Sequence, residues 1–336
     1  MCIRDSMTID IKKSVTQLFE DENEGLFLQT ALSIYKYQST NNEVYKRFLE
    51  LMGYTDKTIT TLEKIPLMPI SFFKHHQVTT DKWIPELIFK SSGTSDMLRS
   101  QHYLKDQGWY NQISLQIFTS FYTNEYEMLA LLPSYLENGD SSLVHMVKHL
   151  TGDGDSNRFH LYDFQKLQDQ ILQKLQLSDN GRVLLWGVTY ALLDFVEKFI
   201  IDSNRLEIIF TGGMKRRGEE LDFDTVVKKL LIGFPSSNIG AEYGMTELFS
   251  QAYANENGIY QTAKTMKVLP KDFNDLTTPA KVGKAGQLGI IDLANVDTLS
   301  FIQTDDIALC HSDTAFELLG RMTNSDLRGC NMLYEG

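Results

Sequence analysis

The chain has 336 residues, of which 42% are hydrophobic and 23% charged, as in an ordinary folded protein. Its formal net charge is −12 at pH 7, which excludes a general nucleic-acid binder because such proteins need a basic face. It has no run of 18 apolar residues, so we predict no membrane span.

The three cysteines, Cys2, Cys310 and Cys330, form no disulfide framework. Free thiols are typical of a reducing compartment, and we therefore expect a cytoplasmic protein. Residues 1–6, which read MCIRDS, match nothing that follows, and we interpret them as a non-native scar before a natural start at Met7.

The first part of the chain, residues 7–85, is predicted to be helical. Phe27, Ala31 and Ile34 recur at helical spacing. Residues 64–76 contain two prolines and cannot form one regular helix. A further helix is predicted over residues 105–122.

From residue 127 onward, predicted strands alternate with predicted helices. The strands are 127–133, 158–163, 182–187, 206–213 and 237–244, and the helices are 141–150, 164–177, 190–201 and 218–232. This alternation is typical of βαβ units with right-handed crossovers and a parallel sheet. We assign an α/β core to residues 86–250, a smaller antiparallel β-rich subdomain to 251–320 and a mobile tail to 321–336.

A turn rich in hydroxyl groups, SSGTS at residues 91–95, directly follows the predicted strand LIF at 87–89. Such a turn can present backbone N–H groups to an anion. The alternatives are a phosphate site and a plain loop, and the turn taken alone does not decide between them.

Three later motifs also lie where ligands bind. The stretches FTGGMKRRG at 210–218 and GAEYGMTE at 240–247 each follow a predicted strand, and ligands of parallel sheets bind at the carboxyl ends of strands. The third motif pairs Asp306, whose carboxylate can accept two hydrogen bonds, with Arg321, which can contact a phosphate. Taken singly, each is equally consistent with a helix start or with surface charge.

The order of these motifs resembles that of the adenylate-forming superfamily of acyl-activating ligases. More narrowly, the segments PISFFKHHQV, FKSSGTS, WGVT and GRMTNSDLRGC resemble the acyl-protein synthetase family, whose members pass fatty acyl groups to the reductase of luminous bacteria. The resemblance covers residues 25–336. It implies the α/β N-terminal domain of these enzymes, with mostly parallel sheets flanked by helices, a smaller antiparallel region and no C-terminal domain.

The resemblance also implies that the core binds ATP and Mg²⁺. The residues that it places around ATP are Ser91, Ser92, Gly93, Thr94 and Ser95 at the phosphates, Gly212, Gly213 and Tyr243 at the adenine, Asp306 at the ribose, and Arg321 at the phosphate or ribose. Thr246 and Glu247 would be catalytic and would serve the phosphate and Mg²⁺. A fatty or other carboxylic acid would react with ATP to give acyl-AMP.

Cys330 is the acyl carrier that the resemblance implies, passing the group to an acceptor protein such as a reductase or carrier. On position alone, a buried inert cysteine is an equal alternative. The turn also lacks the usual Gly-x-Pro-Lys continuation, and the adenylation lysine of the C-terminal domain is absent. Two other functions stay open, namely an acyl-CoA ligase and a non-catalytic partner protein that keeps the nucleotide fold.

Overall fold

The structure is a computed structural model, and it describes residues 3–21, 23–54, 59–92, 98–132, 140–152, 156–177, 181–214, 221–273, 278–280 and 283–322. The helices of these ranges are α1 Ile3–Gln17, α2 Glu24–Asn41, α3 Glu43–Leu51, α4 Phe72–His75, α5 Gln107–Phe121, α6 Ser142–Leu150, α7 Phe164–Leu177, α8 Thr189–Val196 and α9 Phe223–Gly233. None of these helices is long and apolar enough to cross a membrane.

The strands within the same ranges are β1 Met68–Pro69, β2 Leu87–Lys90, β3 Gln101–Leu104, β4 Tyr126–Leu131, β5 Phe159–His160, β6 Arg182–Val188, β7 Leu206–Thr211, β8 Asn238–Tyr243, β9 Ala252–Ala254, β10 Ile259–Thr262, β11 Met266–Lys271, β12 Ala285–Asp292, β13 Phe301–Cys310 and β14 Ala315–Arg321. Two short 3-10 helices occupy residues 62–64 and 156–158.

One large sheet organises the fold. Its order is β11-β12-β13-β14-β10-β9-β8-β7-β6-β4-β5, with β1 parallel to β13. Strands β5, β4, β6, β7 and β8 are parallel to one another, and the pairing becomes antiparallel from β9 onward. Strands β2 and β3 form a separate antiparallel pair. The α/β fold class predicted from the alternation of strands and helices is therefore confirmed.

The helical stripes explain how the helices pack on the sheet. In α7, Phe164, Leu167, Ile171 and Leu175 recur at helical spacing and are all buried, as the sequence predicted. Helix α5 begins after Asp106, whose side chain accepts a hydrogen bond from a backbone N–H in the first turn. The parallel strands β6 and β7 are buried almost throughout, which explains why they read as continuous apolar runs.

Several predicted boundaries differ from the structure. The strand predicted over 158–163 is only Phe159–His160, because the chain turns before α7 begins at Phe164. Helix α8 ends at Val196 instead of 201, and α9 begins at Phe223, capped by Asp222, instead of at 218. Helix α1 begins at Ile3 and thus includes part of the segment interpreted as a scar. The origin of that segment and the domain boundaries stay predictions.

Candidate active site

The candidate site lies at the carboxyl edge of the parallel strands. Val188 of β6 pairs with Thr211 of β7, and Thr211 pairs with Glu242 of β8, so these three strands end side by side. Gly212 follows β7 directly, and Tyr243 is the last residue of β8. The register therefore brings two of the predicted motifs to one edge, where parallel sheets bind ligands.

The glycine pair forms an exposed turn at the end of β7. Gly212 has a φ angle of 67°, in the left-handed region that favours glycine. Its carbonyl oxygen accepts a hydrogen bond from the Thr189 hydroxyl at the start of α8. Gly212 and Gly213 are both exposed, so their backbone is open to a ligand at this edge.

Tyr243, Asp306 and Arg321 form a linked cluster. The Tyr243 hydroxyl donates to Asp306 Oδ2 at 2.7 Å, and Arg321 Nε lies 3.4 Å from Asp306 Oδ1. Asp306 and Arg321 are cross-strand partners in β13 and β14. Burial raises the pKa of Asp306, and the Arg321 charge opposes that rise. The Arg321 side chain is 62% exposed, so a cation at the surface borders a buried acceptor.

Glu247 lies buried just beyond β8. Burial raises its pKa, whereas a hydrogen bond from the Ser100 side chain and the positive charges of Arg321 and Lys74 oppose this effect. The carboxyl group is thus surrounded by donors and cations from three separate parts of the chain. A hard oxygen donor in such a place suits a magnesium ion bound to phosphate.

The buried His102 side chain is hydrogen-bonded to the backbone of the GAEYGMTE motif at Thr246. Its Nδ1 lies 2.7 Å from the Thr246 carbonyl oxygen and therefore donates to it, while Nε2 lies 2.9 Å from the hydroxyl oxygen of Thr298, which itself donates to Asn295 Oδ1. Burial lowers the His102 pKa to about 4, so the ring is neutral at pH 7. Asn295 Nδ2 donates to the Glu247 carbonyl oxygen at 2.8 Å. Two buried side chains thus fix the Thr246–Glu247 backbone.

The hydroxyl-rich turn is described only at its start. Ser91 N donates to the Ser100 carbonyl oxygen at 3.0 Å, and Ser100 N donates to Ser91 Oγ at 2.9 Å. Ser92 is exposed. Gly93, Thr94 and Ser95 lie outside the described residues. The guanidinium of Arg99 donates to the carbonyl oxygens of residues 90 and 91.

These contacts form one continuous path across the sheet edge. Successive hydrogen bonds, ion pairs and charge interactions join Ser91, Ser100, Glu247, Arg321, Asp306 and Tyr243. The fold therefore brings together the start of the hydroxyl-rich turn, the GAEYGMTE motif and the pair of Asp306 and Arg321. The combination of exposed cation, buried carboxylates and open backbone suits a ligand with phosphate and hydroxyl groups.

Two further sequence predictions cannot be compared with the structure. Cys330, the predicted carrier, and the basic run at residues 215–217 lie outside the described residues. Cys310 is buried near the end of β13, and burial raises the pKa of its thiol to about 11. That environment is typical of an unreactive core thiol.

Sequence analysis missed three residues that the structure places at the site. His102 reads as an ordinary residue of a short strand, and only the fold brings it under Thr246. Lys74 lies in the PISFFKHHQV segment, and the sequence did not indicate that the fold brings its charge close enough to act on Glu247. Glu242 stands directly before Tyr243 in a stretch that was singled out, yet a carboxyl group in a strand gave no signal of its buried position.

No family model matches the chain, and no curated protein matches it. Among solved structures, an open conformation of 2-hydroxyisobutyryl-CoA ligase in complex with 2-HIB-AMP and CoA is similar. It is 14% identical with a TM-score of 0.64, over 90% of this chain and 70% of the ligase. This chain has the fold of the adenylate-forming ligases.

Two further solved structures share that fold. ATP-bound MatB from Rhodopseudomonas palustris is 15% identical with a TM-score of 0.51, over 72% of this chain and 49% of MatB. The O-succinylbenzoate coenzyme A synthetase MenE from Bacillus subtilis, in complex with AMP, is 12% identical with a TM-score of 0.51, over 71% and 49%. The chain therefore spans about half the length of these two enzymes.

Proposed function

We propose that this chain activates a carboxylic acid with ATP, giving acyl-AMP and pyrophosphate. The path of contacts from Ser91 to Tyr243 at the sheet edge carries this proposal, because it joins three separate motifs in a fold shared with ligases that hold ATP, AMP or 2-HIB-AMP. In this reaction the carboxylate attacks the α-phosphorus, and pyrophosphate leaves.

The proposed roles follow from position and chemistry. Asp306 accepts hydrogen bonds from the ribose hydroxyls, and Tyr243 and the Gly212–Gly213 turn lie against the adenine. Arg321 contacts phosphate or ribose from its exposed position. The turn at residues 91–95 holds the phosphates through its hydroxyl and backbone N–H groups.

Mg²⁺ is the proposed metal cofactor. The Glu247 carboxylate and the Thr246 hydroxyl are the hard oxygen groups that this ion takes together with phosphate, and the backbone of both is fixed by His102 and Asn295. When bound, the ion would neutralise charge on the phosphates. Glu247 and Thr246 are thus the residues that we assign to both catalysis and metal binding.

The second step of the proposal transfers the acyl group to protein. The Cys330 thiolate attacks the acyl carbonyl carbon of acyl-AMP, a thioester forms, and AMP leaves with the bonding electrons. A reductase or carrier protein then accepts the group. This step, the fatty nature of the acid and an acyl-protein synthetase activity rest on the sequence resemblance.

An acyl-CoA ligase is the second candidate. The CoA bound to the similar 2-hydroxyisobutyryl-CoA ligase favours it. In that case CoA, instead of Cys330, would accept the acyl group from the same acyl-AMP. The two candidates share the first step and differ only in the thiol.

One assay separates these candidates. The protein is given ATP, Mg²⁺, CoA and labelled carboxylic acids, and pyrophosphate, protein-bound label and acyl-CoA are measured. We expect pyrophosphate and hydroxylamine-labile label on the protein, with the label lost in Cys330→Ser but kept in the control Cys310→Ser. Acyl-CoA would instead support the CoA ligase.

Two other results would contradict the proposal. Hydroxylamine-labile label that persists in Cys330→Ser would show that another group carries the acyl chain. Absence of pyrophosphate, protein label and acyl-CoA with every acid would leave the non-catalytic partner protein as the function.

A further inference from the structure

Glu242 lies on the opposite face of β8 from Tyr243. Neighbouring residues of a strand alternate between faces, so the two side chains point to different sides of the sheet. Trp186 shares the face of Glu242, because Trp186 is in register with Ile209, and Ile209 is in register with Gly240, two residues before Glu242. Tyr253 is the cross-strand partner of Glu242 and lies on the same face. This face lies immediately beside the proposed nucleotide site.

The carboxyl group of Glu242 is buried and incompletely hydrogen-bonded. Thr211 Oγ1 donates to Oε2 at 2.5 Å. Among the residues that the structure describes, no donor reaches Oε1 and no cation pairs with the group. Burial raises the Glu242 pKa to about 7, and the hydrogen bond from the Thr211 hydroxyl opposes this rise.

Other polar atoms on this part of the molecule are also unpaired. Within the described ranges, Gln251 Oε1, Trp186 Nε1 and the Tyr253 hydroxyl are buried without a hydrogen-bond partner. The amide of Gln251 is oriented by donation from Nε2 to the Phe249 carbonyl oxygen at 2.7 Å, which leaves Oε1 as the open acceptor. The rings of Trp186 and Tyr253 have centroids 6.1 Å apart.

Gly244 brings two of the open acceptors near one another. A Cβ built on Gly244 would overlap Glu242 Oε1 and would lie 3.6 Å from Gln251 Cγ. The carboxyl group therefore lies over the backbone at the end of β8, with Gln251 on the other side of the same point. The absence of a side chain at Gly244 leaves room for the Glu242 carboxyl group there.

Aromatic side chains of α5 and its C-terminal cap cover the rest of this face. The Phe118 ring lies 6.0 Å from that of Trp186, and the rings of Phe121 and Tyr122 lie 5.0 and 5.5 Å from that of Tyr253. An apolar wall with a few open polar atoms is typical of a small-molecule pocket. It contrasts with a core, where buried polar atoms are almost always paired.

We infer that this face binds the acyl part of the substrate, and that the carboxylic acid carries a hydroxyl or amino group which donates a hydrogen bond to Glu242. This inference rests on the proposed acid activation and names the class of acid. A plain alkyl chain would leave Glu242, Gln251, Trp186 and Tyr253 all unsatisfied, which a binding site disfavours strongly. A hydroxylated fatty acid satisfies both this face and the sequence resemblance.

The test compares acids that differ in one group. ATP–pyrophosphate exchange is measured with octanoate, 2-hydroxyoctanoate, 3-hydroxyoctanoate and 2-aminooctanoate. We expect kcat/KM for at least one substituted acid to exceed that for octanoate by about tenfold or more, the size of a hydrogen bond to a charged group. Glu242→Leu should remove this preference, so that kcat/KM for the substituted acids falls to that for octanoate.

Glu242→Gln separates the two donors. Glutamine still accepts a hydrogen bond from a hydroxyl group but no longer neutralises an ammonium group. A small loss with the preferred hydroxy acid therefore indicates a hydroxyl substrate, and a large loss with the amino acid indicates an ammonium substrate. Glu207→Gln, a buried carboxylate at the other end of β7 that pairs with Arg182, is the matched control and should leave the preference unchanged.

The outcomes that overturn the inference are distinct from failure of the proposed function. Equal kcat/KM for all four acids, or an undiminished preference in Glu242→Leu, would overturn the inference alone. Absence of exchange with every acid would overturn the acid activation itself, and this inference with it.

Discussion

Two buried carboxylates of the same sheet have opposite surroundings. Asp292, at the end of β12, accepts four hydrogen bonds at 2.6–3.2 Å, from Phe249 N, Ser250 N, Ser250 Oγ and Ala294 N. Glu242, at the end of β8, accepts one, from Thr211. Both groups are buried, and burial raises the pKa of both.

The difference in hydrogen bonding indicates that Asp292 stabilises the fold, whereas Glu242 can still accept a hydrogen bond from a ligand. The donors around Asp292 belong to the backbone after Glu247 and to the turn after β12, so this carboxylate fixes the chain that carries the site. Among the residues that the structure describes, only Thr211 donates to Glu242, so a ligand with a donor group can add a hydrogen bond there. Hydrogen-bond saturation thus distinguishes the supporting region around Asp292 from the binding region around Glu242.

The largest effect is expected in the supporting region. Asp292→Ala leaves buried N–H and hydroxyl donors without an acceptor, and we expect the free energy of unfolding to fall by about 3 to 5 kcal/mol. Guanidinium chloride denaturation measures the change. Asp313→Ala, an exposed carboxylate paired with Lys267, is the control and should change stability by about 1 kcal/mol or less. Equal stability of the two variants would break the link between saturation and support.

In the binding region we expect the Glu242→Gln substitution to raise the free energy of unfolding relative to wild type by an amount that increases with pH. The folded-state pKa of Glu242 is about 7, above the ordinary value of 4.5, so the folded chain holds this proton more tightly than the unfolded chain. The contribution of protonated Glu242 to the free energy of unfolding is complete below pH 4.5, its ordinary pKa, and is lost as the pH rises through about 7, its folded-state pKa. Relative to wild type, Glu242→Gln should therefore gain about 2 kcal/mol between pH 5 and pH 8.

Urea denaturation of both proteins at the two pH values measures this gain. The control is Glu50→Gln, whose carboxyl group is exposed and pairs with Arg47, a side chain that stays charged at both pH values. A stability difference between wild type and Glu242→Gln that is the same at pH 5 and pH 8 would show that a donor reaches the Glu242 carboxylate after all.

The sequence predicted the parts of this molecule that depend on local patterns. The stripe of α7 and the alternation of strands with helices rest on periodicity, which buried apolar residues impose directly. The strand at 158–163 was predicted too long because side-chain preference does not show where the chain turns. The bounds of α8 and α9 were missed for the same reason.

The site was predictable only where a motif stood at a strand end. Tyr243 and the Gly212–Gly213 pair were proposed in this way. Asp306 and Arg321 were proposed from their side-chain chemistry, their roles toward ribose and phosphate came from the resemblance in motif order, and the structure shows the register that joins them. His102 and Glu242 were missed because their importance lies in partners made or lacking across the fold. Saturation of a buried group is a tertiary property that no local pattern records.

Asp306 has more partners than Glu242 and fewer than Asp292, and its substitution is expected to have the smallest effect of the three. Its carboxylate has two partners, Tyr243 on Oδ2 and the exposed Arg321 on Oδ1, so its remaining lone pairs can accept from ribose hydroxyl groups. We expect Asp306→Ala to weaken ATP binding about tenfold, or 1.4 kcal/mol, in calorimetric titration with Mg²⁺. Asp305→Ala is the matched control, because the side chain of the preceding residue in β13 points to the other face. Equal ATP affinity in the two variants would place Asp306 with Asp292, as a group that only supports the chain.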